Sequence, residues 1–245
     1  MLSTDLCQTV LRNRLLAALP EEELALLRPK LKLVDLELRH SLLLPEQRIE
    51  HVYFIESGWI SVLASLDNGD MAEVGLIGSE GMVGWMLAFG NATTEFEAMV
   101  QSPGTAWRLA AADLREALEA GTALRGLLLR FALSQHVQVA WTAVCNGRHT
   151  IEQRLARWLL MAHDRAEGDT FSVTHEFLAM MLGVRRAGVT VAAGALQKAG
   201  MIRYGGGRMT IADRTALEAS TCECYGFARR AQKRHAPPED GRYGR

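Results

Sequence analysis

Leucines at helical spacing predict a helix over residues 11–19. Pro20 ends that helix and suits the first turn of a second one, in which the acidic side chains of residues 21–23 favour the positive end of the helix dipole. Pro29 ends the second helix. The chain therefore begins with two short helices joined by a proline.

From residue 31 the apolar spacing changes from helical to alternating, and short runs rich in β-branched and aromatic residues follow. Asn-Gly in the segment 67–70 suits a hairpin turn, because both residues tolerate positive φ. Many short strands at close spacing predict a small β-barrel or roll. The predicted strands lie at residues 31–36, 51–55, 59–63, 71–77 and 98–109.

Helical spacing returns at residues 110–118, and a long helix with a broad apolar face is predicted from about 121 to 144. A long apolar helix between two domains often pairs with its copy in a dimer. The alternative is a helix that packs only on its own barrel. The residues predicted for the dimer face are Leu124, Leu128, Phe131, Gln135, Gln138 and Trp141.

Beyond residue 148 the pattern predicts helices followed by a hairpin. Thr150 and Gln153 match a capping box at the start of one helix. Two shorter helices, over 174–182 and about 185–199, are joined through Gly183, which is the helix-turn-helix pattern. Residues 201–211 then read as a tight hairpin, or wing. The predicted fold class is therefore α+β, with a β-roll, a long helix and a winged helix-turn-helix.

Basic side chains at the start of the second helix favour DNA as its partner. Arg185 and Arg186 stand where a recognition helix enters the major groove, and an arginine there can bind guanine or a phosphate. The alternative is a solvated basic face on ordinary packed helices. The predicted DNA-binding residues are Thr174, His175, Arg185, Arg186, Gly188, Thr190, Lys198, Arg203, Tyr204 and Arg208. Gly188, Thr190 and Ala192 are small, which allows the backbone to approach the duplex closely.

Charge divides the chain unevenly. Residues 1–147 carry 11 Lys and Arg against 18 Asp and Glu, whereas residues 148–245 carry 16 against 10. At 49% hydrophobic and 22% charged residues the chain is globular, and its four cysteines do not make a disulfide framework. We expect a cytoplasmic protein with no membrane span and no secretory signal.

Catalytic and metal-binding motifs are not apparent in the sequence. No phosphate-binding loop, nucleophile elbow or His-Glu-x-x-His is present, so we expect no enzyme and no catalytic residue. Cys222 and Cys224 supply too few ligands for structural zinc, and Cys145 and His235 would join them only through an unforeseen fold. We therefore expect two unpaired cysteines, no metal and no cofactor.

The sequence resembles the Crp/Fnr superfamily of bacterial transcription regulators over residues of about 10 to 225. The likeness rests on Leu15–Pro20 leading to His51–Gly58, on the loop from Gly78 to Gly90, and on Val173–Ile211. It implies a cyclic-nucleotide-binding-like sensor and a homodimer on a pseudo-palindromic DNA operator, with RNA polymerase as a further partner and a small-molecule effector that the sequence does not identify. The implied domains are 1–120 (sensor), 121–147 (dimerisation helix) and 148–225 (winged helix), with 226–245 as a basic, disordered tail.

The chain departs from the family at the effector pocket. Members that bind cyclic AMP hold it with a Gly-Glu pair and an Arg-Ser or Arg-Thr pair, whereas the matching positions here carry Gly84, Trp85, Glu95 and Phe96. A carboxylate repels the anionic phosphate, so this pocket is predicted to be degenerate and unable to bind cyclic AMP in the usual way.

Two further departures concern the N-terminus and the recognition helix. Oxygen-sensing members hold an iron–sulfur cluster with several N-terminal cysteines, whereas only Cys7 lies in that region here. Other members carry a glutamate that reads a base directly after the arginine of the recognition helix, whereas Ala187 follows Arg186 here. Function is therefore predicted as a sequence-specific regulator with an unknown effector. The alternatives are a haem, gas or redox sensor of the same fold, and a module that uses its winged helix to bind protein.

Overall fold

The computed structural model describes residues 11–236 of the chain. Its helices are α1 (Arg14–Ala17), α2 (Glu21–Leu27), α3 (Ala111–Ala120), α4 (Ala123–Arg148), α5 (Ile151–His163), α6 (His175–Leu182), α7 (Arg186–Lys198), α8 (Arg214–Ser220) and α9 (Glu223–His235), with 3₁₀ turns at Arg28–Lys30 and Trp85–Phe89. Its strands are β1 (Lys32–Leu36), β2 (Ser41–Leu43), β3 (His51–Ile55), β4 (Trp59–Ser65), β5 (Met71–Ile77), β6 (Met82–Val83), β7 (Glu97–Ser102), β8 (Gly104–Ala110), β9 (Thr170–Ser172), β10 (Ile202–Gly205) and β11 (Arg208–Ile211).

Two four-stranded sheets contain β1 to β8. Their strand orders are β1-β8-β3-β6 and β2-β7-β4-β5, and the pairs β1–β8, β3–β8, β3–β6 and β2–β7 are antiparallel. Alternate residues of β3 enter the core, where Phe54 stands opposite Trp107 in β8 and both are buried. The alternating pattern of the sequence therefore does form a β-roll. The predicted strand over 98–109 is divided at Pro103, which cannot donate to a ladder, into β7 and β8.

The chain forms two compact units that do not follow its linear order. Among the described residues, one consists of 11–60, 77–134 and 234–236; the other consists of 61–76 and 135–233. The hairpin made by most of β4 and β5 thus belongs to the same unit as the winged helix. This division differs from sequence-based boundaries, in which the hairpin lies within a continuous sensor domain.

A buried carboxylate ties that hairpin to helix α5. Glu73 accepts hydrogen bonds from Ser61 Oγ at 2.6 Å and from Trp158 Nε1 at 2.8 Å, and all three side chains are buried. Burial raises the pKa of Glu73 to about 7, against the opposing effects of these two donors and of the charges of Arg157 and Arg165. A second link runs from Gln138 Nε2 in α4 to the Leu76 carbonyl oxygen at 3.1 Å.

The face of α4 predicted for dimerisation is buried within one chain. Leu124, Leu128, Phe131, Gln135 and Gln138 are all buried, and Trp141 is partly covered because its ring stacks on Phe227 at a centroid distance of 4.1 Å. The assignment of the five buried side chains to a dimer face is therefore wrong, whereas that of Trp141 stays a prediction. Apolar residues lie all around α4, so their spacing could not separate its inner face from its outer face.

The outer face of α4 carries a different apolar stripe. Its exposed members recur at alternating intervals of four and three residues, which is the spacing of a coiled-coil seam. Leu133 is 53% exposed, and the side chains of the stripe become smaller toward the end of the helix. The members are Leu129, Leu133, His136, Ala140, Ala143 and Gly147, all apolar except His136.

Helix α9 occupies the first half of the region predicted as a disordered tail. It extends over Glu223–His235 and is anchored by the stack of Phe227 on Trp141 and by buried Tyr225. The prediction of disorder is therefore wrong for residues 226–235, because this basic segment also carries an apolar face. Within the described residues no single helix is long and apolar enough to cross a membrane; α6 and α7 reach that threshold only when counted together.

Candidate nucleic-acid interface

Helices α6 and α7 form the predicted helix-turn-helix. Thr174 caps α6 by accepting a hydrogen bond from the Phe177 amide at 3.1 Å, and Gly183 ends it in the left-handed conformation at φ +60°. The two helix axes differ in direction by 108°, within the range typical of this motif. Both signals that predicted the motif, the cap and the glycine, therefore have the structural roles expected of them.

The outer face of α7 carries the side chains available to a partner. Arg185, Arg186, Thr190 and Lys198 are exposed, as the predicted contact surface requires. Val191, next to Thr190 in the sequence, is 69% exposed and was not among the predicted contact residues. An exposed methyl-bearing side chain there can contact the methyl group of thymine.

Two small residues of α7 face inward rather than toward a duplex. A Cβ placed on Gly188 would lie 2.9 Å from Ile151 Cδ1, and Ala192 is buried. Their small size lets α7 pack closely on α5 and does not serve approach to DNA, so the assignment of Gly188 to the DNA surface is wrong.

Side chains from α6, α7 and the wing meet beside the recognition face. The His175 ring stacks on Tyr204 at 4.2 Å, and its Nδ1 lies 3.1 Å from Thr190 Oγ1. Thr190 in turn donates to the Arg186 carbonyl oxygen at 3.1 Å. Burial, and then the charge of Arg186, lower the pKa of His175, which favours the neutral ring. Three of the predicted contact residues, His175, Thr190 and Tyr204, are thus brought together.

The wing continues the basic surface. Strands β10 and β11 pair from Ile202 to Ile211, and β9 adds a third strand that the sequence did not reveal because it is only three residues long. Arg203 and Arg208 are exposed on the hairpin, and the Tyr204 amide donates to Gln197 Oε1 of α7 at 2.8 Å. The wing is therefore fixed to the recognition helix by a direct hydrogen bond.

The residues assigned to the degenerate effector pocket lie in two separate segments. Gly84, at φ +90°, leads into the 3₁₀ turn in which Trp85 packs edge-on against Phe89 at 5.8 Å. Glu95 and Phe96 are exposed in the turn before β7, where the Phe96 amide donates to Thr94 Oγ1. Their assignment to one pocket stays a prediction.

Three cysteines and a histidine meet at the end of α4. Cys145, His149, Cys222 and Cys224 place their sulfur and ring nitrogen atoms within 4.8 Å of one another. The hydrogen bond between the thiols of Cys145 and Cys222 lowers the pKa of Cys222. Cys145, Cys222 and Cys224 are free cysteines. Their proximity to His149 was not predicted from the sequence, although the Cys-x-x-x-His spacing at residues 145–149 could have indicated it.

The protein combines a β-roll, a long helix and a winged helix-turn-helix whose second helix is exposed and basic. This combination is typical of transcription regulators in which one domain senses a signal and another binds DNA. Comparison with known families agrees with that class. Residues 34–120 match the cyclic nucleotide-binding domain, and residues 153–220 match the Crp-like helix-turn-helix domain, together more than half of the chain. The chain belongs to the Crp/Fnr superfamily, and its structural neighbours are regulators rather than enzymes.

Solved structures of low sequence identity share the fold. FixK2 from Bradyrhizobium japonicum is 15% identical, with 78% of this chain and 98% of that one covered and a TM-score of 0.68. A putative Crp/Fnr-family regulator from Eubacterium rectale is 16% identical, with coverages of 82% and 94% and a TM-score of 0.66. The c-di-GMP-responsive regulator CLP from Xanthomonas campestris is 18% identical, with coverages of 78% and 99% and a TM-score of 0.59. None of the curated protein sequences matches this chain.

Proposed function

We propose that the protein is a homodimeric, sequence-specific DNA-binding transcription regulator that acts on a pseudo-palindromic operator. One observation supports this most directly: Arg186, Thr190 and Val191 are exposed on α7, beside a wing that carries exposed Arg203 and Arg208. Arginines suit both guanine and phosphate, and the apolar Val191 adds a means of reading thymine. A basic wing beside that face supplies contacts to the flanking backbone.

The exposed stripe on α4 supports a second copy of the chain as its occupant. Leu129, Leu133 and Ala140 follow the coiled-coil spacing, and the small residues beyond them let two helices approach closely. A symmetric dimer places two recognition helices on half-sites about 34 Å apart, one turn of the duplex. RNA polymerase as a further partner and a cytoplasmic location stay predictions of the same proposal.

The effector is proposed to be something other than cyclic AMP. Residues 79–107 contain no Lys or Arg to hold a cyclic phosphate, and Glu95 stands in the loop. The Xanthomonas regulator of the same fold is described as responsive to c-di-GMP, which supports the view that this fold accepts different signals. Calorimetric titration with cyclic AMP is expected to give no micromolar binding, and a micromolar affinity would contradict this part of the proposal.

DNA binding is tested on an operator selected from a random duplex pool. Arg186→Ala is expected to cost about 1–3 kcal/mol and to relax preference at one base pair, whereas Arg208→Ala lowers the slope of log affinity against log salt by about 1 on all sequences. Arg48→Ala is the matched control, because it removes the same charge from a side chain that is 71% exposed in the other compact unit. A wild-type affinity independent of salt contradicts the proposal and favours a protein partner for the winged helix.

The dimer is tested separately by light scattering. Leu133→Arg is expected to yield a monomer, because it places a charge in the apolar seam of each helix. Leu66→Arg is the control: Leu66 is 64% exposed in the β4–β5 turn, away from the stripe. A dimer that survives Leu133→Arg and dissociates with Leu66→Arg would refute α4 as the interface.

A further inference from the structure

The four side chains at the end of α4 come from two distant parts of the sequence. Cys145 lies in the last turn of the helix and His149 directly after it, while Cys222 and Cys224 flank the first residue of α9. Sγ of Cys145 lies 3.5 Å from Sγ of Cys222, and Sγ of Cys224 lies 3.6 Å from Nδ1 of His149. All three cysteines are buried, so this is a closed cluster of soft donors.

These separations match the edges of a tetrahedron around one cation. With Zn–S of about 2.3 Å and Zn–N of about 2.0–2.1 Å, tetrahedral geometry puts two sulfurs about 3.8 Å apart and a sulfur and a nitrogen about 3.6 Å apart. The observed distances lie within a few tenths of an ångström of both values. All four donor atoms lie within 4.8 Å of one another, so a cation at the centre requires the remaining pairs to close by at most about 1 Å.

The surroundings favour a cation in two ways. His149 presents Nδ1 to the cluster, and its Nε2 lies 3.4 Å from the Glu223 carboxylate, which is the arrangement that orients metal-binding histidines. The guanidinium of Arg157 is buried close by, and its Nε has no hydrogen-bond partner among the described residues. Three thiolates and one divalent cation leave a net negative charge, which a buried arginine offsets.

We propose that Cys145, His149, Cys222 and Cys224 form a tetrahedral site for a thiophilic divalent cation, with zinc as the expected occupant. Three sulfurs and one imidazole form one of the usual structural zinc ligand sets. The bound ion joins the end of α4 to the start of α9 and so fixes both helices beside the winged-helix elements of the same compact unit. This site is independent of whether the protein binds DNA.

The test uses the full-length protein, purified with reductant and without added metal. Elemental analysis is expected to find about one zinc per chain. After extraction with a chelator, titration with Zn²⁺ against a zinc indicator is expected to restore one equivalent. Co²⁺ is expected to give the visible spectrum of a tetrahedral thiolate site. Neither metal being bound, or an octahedral Co²⁺ spectrum, overturns the proposal.

Variants distinguish the cluster from adventitious binding. Cys224→Ser is expected to weaken zinc binding by more than the roughly 10–100-fold that loss of an outer-shell partner costs, and Glu223→Gln by about 10-fold. Cys7→Ser, which removes the one cysteine outside the cluster, is the matched control and is expected to bind like the parent. Equal affinity in Cys224→Ser and the parent overturns the proposal. So does a Cys145–Cys222 disulfide found by mass spectrometry in the freshly purified, reductant-free protein with no metal bound.

Discussion

Glu73 makes the stability of the protein depend on pH in a direction opposite to that of an ordinary carboxylate. Its folded-state pKa of about 7 lies above the usual value of 4.5, mainly because the side chain is fully buried. Between these pH values the native state holds a proton that the unfolded state has released. The free energy of unfolding therefore falls as pH rises from about 4.5 to 7 and levels off above 7.

The size of this effect follows from the shift in pKa. A difference of roughly two to three pH units corresponds to about 3 kcal/mol, since each unit is worth about 1.4 kcal/mol. That is a large fraction of the 5–15 kcal/mol by which domains are typically stable. The destabilisation arises at the junction between the β4–β5 hairpin and α5, where the Glu73 carboxylate accepts hydrogen bonds from Ser61 and Trp158.

Glu73→Gln isolates this contribution. The amide keeps an acceptor for Trp158 Nε1 and can donate to Ser61 Oγ, but it carries no titrating proton. Urea unfolding followed by tryptophan fluorescence at pH 5 to 8 is expected to show a parent that loses up to about 3 kcal/mol more than the variant. Glu95→Gln, which removes an exposed carboxylate, is the control. Parallel pH profiles for Glu73→Gln and the parent would refute the reasoning.

Two further substitutions test packing and capping. Gly81→Ala is expected to destabilise the protein by about 1–3 kcal/mol in thermal and urea unfolding, because the added Cβ would clash with the buried Phe131 ring. Gly90→Ala is the comparison: the space around Gly90 is open but its φ is +86°, so this variant measures the cost of backbone strain alone. Thr174→Ala is expected to cost about 1 kcal/mol by removing the cap of α6, whereas Thr174→Ser should restore most of it; equal stability of the alanine and serine variants would exclude the cap.

Local signals in the sequence were sufficient to predict the winged helix. The Thr174 cap, the Gly183 stop and the glycines of the wing act within a few residues, so their structural consequences could be derived without knowing the fold. The same applies to the capping box of Thr150 and Gln153, which is present in the structure. Exposure of Arg185 and Arg186 follows from their position at the start of α7.

Features that depend on distant contacts could not be predicted in this way. Cys145 and Cys222 are 77 positions apart, and only the fold brings them within hydrogen-bonding distance. The inner face of α4 depends on residues such as Gly81, which the broadly apolar helix does not specify. Gly188 was predicted to face DNA because it is small; the sequence does not show that the Ile151 side chain packs against it.

The links among His175, Tyr204 and Gln197 give the DNA-reading surface a fixed internal geometry. Helix α6, helix α7 and the wing are held together by a ring stack and a hydrogen bond. On the proposed function, base preference at a half-site is then set by this surface. Substitutions outside it can change the signal without changing the set of target promoters, and substitutions within it can change the promoters without changing the signal.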